Sequence, residues 1–104
     1  MERSRYVAVC GASDPDPEQR ELAREVGRRL AEAGAVVLCG GLGGVMEAAA
    51  DAVVAIGGGW GTLSEIGLAR RRDRPVVSVA GWELEGVPVA ISAEEAVRAA
   101  LGDH

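Results

Sequence analysis

Phenylalanine and lysine are both absent from this chain, and histidine occurs once, at the terminal His104. Without lysine there is no Walker-type phosphate lysine and no Schiff-base lysine, so pyridoxal chemistry on a protein amine is excluded. A single terminal histidine makes a histidine-dependent triad improbable. The two cysteines, Cys10 and Cys39, each close an apolar run just before a glycine. Both are expected to be small buried thiols, and the chain lacks the ligands for a metal site. Aromatic residues make up 3% of the sequence, so the core must be built from Val, Ala, Leu and Ile. All 11 basic residues are arginine and are outnumbered by 16 acidic ones, for a formal charge of −5 and a pI near 4.8. A basic nucleic-acid footprint is therefore missing. No apolar run is long enough to span a bilayer, and Met1 to Arg5 leads into a strand without a signal-like apolar region. The expectation is a cytoplasmic protein with neither nucleic-acid nor membrane partners.

Glycine, in contrast, is plentiful: 15 residues, clustered at the ends of apolar runs. With 104 residues and 48% hydrophobic content, residues 1–104 are expected to form one domain. Tyr6 to Cys10 reads as a first strand, followed by the loop Gly11-Ala12-Ser13. Asp16 suits a helix N-cap, Pro17 the first helical position and Gln19 the reciprocal capping-box partner. That helix is predicted to reach Ala33 and stop at Gly34. Leu22, Val26 and Leu30 supply its apolar stripe, widened by Ala23 and Ala33. Glu21, Glu25 and Arg29 lie on a solvated face. Ala35 to Cys39 reads as a second buried strand, followed by the loop Gly40-Gly41-Leu42-Gly43-Gly44 and a helix beginning at Val45.

The run Ala52 to Ile56 has the uninterrupted apolar character of a buried parallel strand, and the stretch directly after it is the centre of the chain. Gly57-Gly58-Gly59-Trp60-Gly61-Thr62-Leu63-Ser64-Glu65 is a glycine loop entering a helix. Glycines let the backbone approach a ligand, and the first N–H groups of a helix attract anions. Thr62 adds a hydroxyl, and Glu65, about one turn in, brings a carboxylate to the same mouth. Trp60 either lies over a ligand ring or closes a core. The helix ends in four arginines around Asp73, a pattern that complements its dipole. Pro75 to Val79 is the next strand and Val87 to Ile91 a short extended segment. Ser92 opens a final helix that ends near Gly102.

Strand and helix alternate throughout. The predicted fold is α/β: a three-layer Rossmann-like parallel sheet flanked by helices, with about four core strands. Ligands bind such sheets beyond the carboxyl ends of the strands, where strand order reverses. The three glycine loops all sit at carboxyl ends, so topology alone brings them to one crevice. None matches G-x-G-x-x-G, since Met46 and Ser64 stand where a third glycine is required, and no ribose-binding acid follows the second strand. A dinucleotide is disfavoured, and a mononucleotide or ribose phosphate suits the loops better.

These residues resemble a known family. Gly57 to Glu65 is similar to the P-G-G-x-G-T-x-x-E signature of the LOG (Lonely Guy) family, long mislabelled as lysine decarboxylases. Gly40 to Met46 resembles its other glycine-rich motif. Gly57 replaces the family's proline, which looks like a bacterial subgroup with I-G-G-G-x-G-T-L-S-E. The resemblance implies a phosphoribohydrolase that cleaves the N-glycosidic bond of a nucleoside 5′-monophosphate, with Glu65 catalytic and no cofactor or metal. It also implies a phosphate and nucleotide site at Gly11, Ala12, Ser13, Gly40, Gly41, Gly43, Gly44, Met46, Gly58, Gly59, Trp60, Gly61 and Thr62. Relatives resemble dimers, so self-association as a homodimer or higher homo-oligomer is expected. Glu47 is a second carboxylate near the crevice or a plain surface group.

One departure from the family stands out. Several tens of residues, with a strand, a helix and the catalytic arginine, are expected between the second glycine motif and the central strand. Here Ala50 abuts Asp51-Ala52, whereas connections usually run to about 4–6 residues. The joint reads as an internal deletion, natural or engineered, or as an omitted stretch; a true deletion takes the arginine with it. A non-catalytic nucleotide or pterin-cofactor binder of the same fold is then the rival to the hydrolase.

Overall fold

The computed structural model describes residues 4–12, 14–39 and 48–102. Its strands are β1 (Tyr6–Cys10), β2 (Val36–Leu38), β3 (Ala52–Ile56), β4 (Val76–Val79) and β5 (Val89–Ala90). All pair in parallel, in the order β2-β1-β3-β4-β5. The described helices are α1 (Pro17–Glu32), α2 (Trp60–Arg71) and α3 (Ala93–Leu101). The segment Val87 to Ile91 thus contributes a fifth strand, of two residues, beyond the four expected. This order places the reversal between β1 and β3, and the crevice it opens lies over their carboxyl ends.

Alternation of side chains along the strands divides the core in two. Val7, Val54, Ile56, Val77 and Val79 face α1 and α3, meeting Val26, Leu30, Ala96 and Val97. Ala8, Cys10, Val53, Ala55 and Val76 face α2, meeting Ile66 and Ala69. Every residue of β3 is buried, as a central parallel strand covered on both faces must be. At the opposite end of the sheet Asp51 ties β3 to β1: its N–H donates to Tyr6 O, and its Oδ2 accepts from the Tyr6 N–H at 2.8 Å. Ala50 and Asp51, described as neither helix nor strand, lead directly into β3. The helix expected from Val45 falls largely outside the described residues.

Local chemistry decides the ends of α1. Asp16 accepts from the Gln19 N–H and the Gln19 side chain accepts from the Asp16 N–H, completing the capping box, with Pro17 at the first position. Ala33 is the C-cap and Gly34 follows with φ 83°. Ala33 is exposed rather than part of the stripe, because the helix has already lifted off the sheet there. For α3, Ser92 Oγ accepts from the Glu95 N–H, and Gly102 closes the helix in the left-handed conformation.

Two burial expectations are corrected. β2 is an edge strand, so Val36 is 38% exposed and its neighbours only half-covered. Cys39 lies past the end of that strand and is exposed, whereas Cys10, on the inner strand, is buried as expected. The arginine-rich end of α2 also does more than meet solvent. Arg70 donates to Gly86 O at 3.2 Å and Arg74 to Ala48 O at 3.3 Å.

Candidate functional site at the carboxyl edge of the sheet

Three strand-end loops meet over β1, β3 and β4. Gly57 turns the chain out of β3 with φ 90°, which favours glycine. A methyl group there would come within 2.6 Å of Gln19 Nε2. A methyl at Gly81, after β4, would fall 1.9 Å from Gly57 O, so these two backbones stack directly. A Cβ on Gly59 would lie 4.0 Å from the Ala12 Cβ, which brings the β1 loop against the α2 entrance. Gly11, Ala12, Gly58 and Gly59 therefore converge as the topology requires. Ser13, Gly40, Gly41, Gly43, Gly44, Met46 and Glu47 lie outside the described residues.

The α2 entrance is built differently from the starts of α1 and α3. Its N-cap is Gly59, which provides no side-chain hydrogen bond, and the first turn holds no acidic residue. The first intrahelical bond runs from the Leu63 N–H to Gly59 O, leaving the N–H groups of Trp60, Gly61 and Thr62 ahead of it. The positive end of this helix dipole is thus left for an anion.

Thr62, Glu65, Ile66 and Ala69 recur at i, i+3, i+4 and i+7, so they share one helix face. Ile66 and Ala69 on that face pack into the core. Thr62 is 1% exposed, and its Oγ1 finds no hydrogen-bond partner among the described residues. Glu65, the sixth residue of the helix rather than one turn in, is half-buried. Its Oε2 is likewise buried and unpartnered among the described residues. An orphaned buried polar group costs ~1–3 kcal/mol, and a charged one more. A ligand offering an acceptor to the Thr62 hydroxyl and a donor to the Glu65 oxygen would satisfy both.

Trp60 is the first residue of α2, 79% exposed, and closes no core. Its ring lies 5.4 Å from that of Trp82, tilted by 50°. Trp82 is fixed: its indole N–H donates to Gly59 O at 2.9 Å, and its own carbonyl accepts from Ser78 Oγ at 2.6 Å. The β4 loop, Gly81 and Trp82, is a part of the site that the three glycine loops singled out from the sequence do not include. Its signal is one more glycine, Gly81, two residues past a strand end.

A cavity of about 490 Å³ opens on the other face of the sheet, under α1 from Gln19 to Arg28. It shares Gly11, Ala12 and Ile56 with the crevice but does not include Thr62 or Glu65. Among the described residues no cluster of His, Cys, Asp and Glu could hold a metal ion, and no helix is long and apolar enough to cross a membrane.

Fold and site together define a Rossmann-like α/β protein whose glycine loops frame a crevice at the β1/β3 reversal. Within that class the chain belongs to the SLOG cluster4 family, whose model matches residues 4–53 and again 48–101. The two matches overlap over residues 48–53, which include the Ala50–Asp51 joint. An uncharacterized protein of Archaeoglobus fulgidus is 31% identical over 137 residues, covering 88% of this chain and 91% of the relative. An alignment of 137 positions exceeds the 104 residues present here, so the relative carries a stretch with no counterpart. Among solved structures, the molybdenum cofactor binding protein from the phototrophic bacterium Rippkaea orientalis superposes with a TM-score of 0.84 at 20% identity. That match covers 94% of this chain and 96% of the other, and it bears on the fold alone.

Proposed function

We propose that this chain binds a small phosphorylated heterocycle, a nucleotide or a pterin-type cofactor, and acts as its binder or carrier. The phosphate rests on the N–H groups at the start of α2, and the glycine loops admit it closely. Thr62 donates to a phosphate oxygen, and Glu65 accepts from ligand hydroxyl or amino groups. The observation that carries this reading is the uncapped start of α2 with two buried polar atoms directly behind it that find no partner among the described residues. The fold shared with a cofactor binding protein supports it as analogy.

A second reading keeps the LOG-like chemistry. The half-buried Glu65 carboxylate favours it, because a carboxylate beside a phosphate-held ribose stabilises a developing oxocarbenium ion. Against it stands the joint at Ala50, where the strand, helix and arginine that the LOG resemblance implies have no room in the sequence.

Calorimetric titration of AMP and GMP, with a base-release assay on the same samples, separates the readings. For a binder, wild-type protein binds and releases no base, and Glu65→Gln weakens binding by about tenfold through one lost charged acceptor. For a hydrolase, wild-type protein releases base, and Glu65→Gln abolishes release while retaining binding. Failure of every phosphorylated probe to bind would overturn both.

A further inference from the structure

The cavity under α1 has the volume of a site for a small organic ring, about 490 Å³. Val9, Val37 and Ile56 wall it from the sheet, and Ala23 and Gly27 from the helix. Gly27 is the informative residue. It sits in the interior of a 16-residue helix, where glycine is weaker than alanine. Neither usual reason for glycine applies: its φ is not positive, and a Cβ there would meet nothing within 4 Å. Its one structural effect is to leave the cavity open.

The cavity is continuous with the glycine crevice through Gly11, Ala12 and Ile56. Gln19 stands at the passage between them, its Nε2 close over Gly57. Gln19 Oε1 is already used by the Asp16 N–H, so the side the amide can offer a ligand is its N–H donor. Arg20 lines the same cavity and makes no ion pair among the described residues, unlike Arg24 and Arg28 beside it. Apolar walls with donors at one edge suit a flat ring that carries acceptor atoms on its rim.

We infer that this cavity holds the heterocycle of the ligand, an oxo-purine or pterin ring. The flat faces lie against Val37 and Ala23, and the oxo edge accepts from Gln19 and Arg20. This rests on the phosphate-binding reading above for the other end of the ligand, which would reach across the crevice between the two faces of the sheet.

The test uses probes that separate the two ends: hypoxanthine and 6-hydroxymethylpterin for the ring, ribose 5-phosphate for the phosphate. Each is titrated into ¹⁵N-labelled protein and followed by NMR. The ring probes should shift the amides of Ala23 and Gly27, and should bind Gly27→Leu at least about tenfold more weakly. The leucine fills the cavity while removing a helix glycine, so the Tm of that variant should rise as its ring affinity falls. Gly27→Ala, a smaller filling, should fall between. Ribose 5-phosphate should shift Trp60 to Thr62 equally in all three proteins. Ring probes that bind Gly27→Leu as well as wild type, or that do not bind wild type, overturn the ring cavity. Ring binding without ribose 5-phosphate binding overturns the phosphate end and leaves the cavity standing.

Discussion

α1 and α2 begin at the same edge of the same sheet, yet their first turns are built on opposite plans. α1 closes its entrance with a reciprocal Asp16–Gln19 box, Pro17 and an acidic Glu18. α2 opens on Gly59 with no side-chain cap, no acid in the first turn, and a buried Thr62 hydroxyl and Glu65 oxygen without partners among the described residues. A helix that had only to be stable would be capped as α1 is, and α3 keeps to that plan with Ser92, Glu94 and Glu95. The contrast separates a capped helix start from an uncapped one, where we propose the phosphate binds. It carries more weight than the glycine count, because glycines also serve close packing.

The largest effect is expected where the open plan depends on backbone touching backbone. Gly81→Ala would drive a methyl into the Gly57 carbonyl, 1.9 Å away, with no flexible side chain to yield. Overpacking of this kind should cost roughly 2–4 kcal/mol, read as a lowered urea midpoint. Gly61→Ala is the control in the neighbouring helix: its Cβ would meet nothing within 4 Å, so it should stabilise by about 0.5–1 kcal/mol. Equal midpoints for the two variants would show that the loops do not lean on each other.

A smaller and more pointed effect comes from giving α2 the plan of α1. Gly59 has φ −73° and ψ 158°, an N-cap conformation open to any residue, and a Cβ there would make only ordinary contact with Ala12. Gly59→Asp should therefore leave folding within a few tenths of a kcal/mol of wild type or improve it. The same carboxylate would occupy the anion position and reduce AMP binding by about tenfold or more. Asp16→Ala, on the closed helix, should do the reverse: lose about 1 kcal/mol of stability with phosphate affinity unchanged. Parallel changes in the two variants would erase the distinction between the helix starts.

How much of this is legible in the sequence depends on how local each feature is. The Asp16-Pro17-Gln19 cap, the stop at Gly34 and the Ser92 cap are readable because each is decided within one turn of chain. The strands are readable as apolar runs, and parallel pairing comes from their alternation with helices. Exposure of Cys39 is not readable, since Ala35 to Cys39 has the composition of an inner strand and only sheet order makes it an edge. The seat of Gly81 on Gly57 is equally hidden, because two glycines a helix and a strand apart carry no mark of their contact. Trp60, flanked by glycines, has the look of a loop tip, although α2 begins on it. The cavity under α1 escapes a reading of residues because its signal is an absence: a side chain missing at Gly27 on an otherwise ordinary helix.

The smallest expected effect lies on the solvated face of α1 and sharpens the comparison from the other side. Arg28 and, next, Arg29 hydrogen-bond to Glu25 and hold its carboxyl below the usual glutamate range. Arg28 reaches Glu32 as well. A depressed folded-state pKa means that the unfolded chain takes up the proton first. The pairing therefore contributes fully above the ordinary glutamate pKa and is lost as the pH falls through the lowered value. Since these groups face solvent, the contribution should be slight and screened by salt. Glu25→Gln should flatten the acid side of the Tm–pH profile a little at low ionic strength and not at all in about 1 M NaCl, with phosphate affinity unmoved. A profile identical to wild type at low salt would remove these pairs from the stability of α1 and leave its capping box as what distinguishes it from α2.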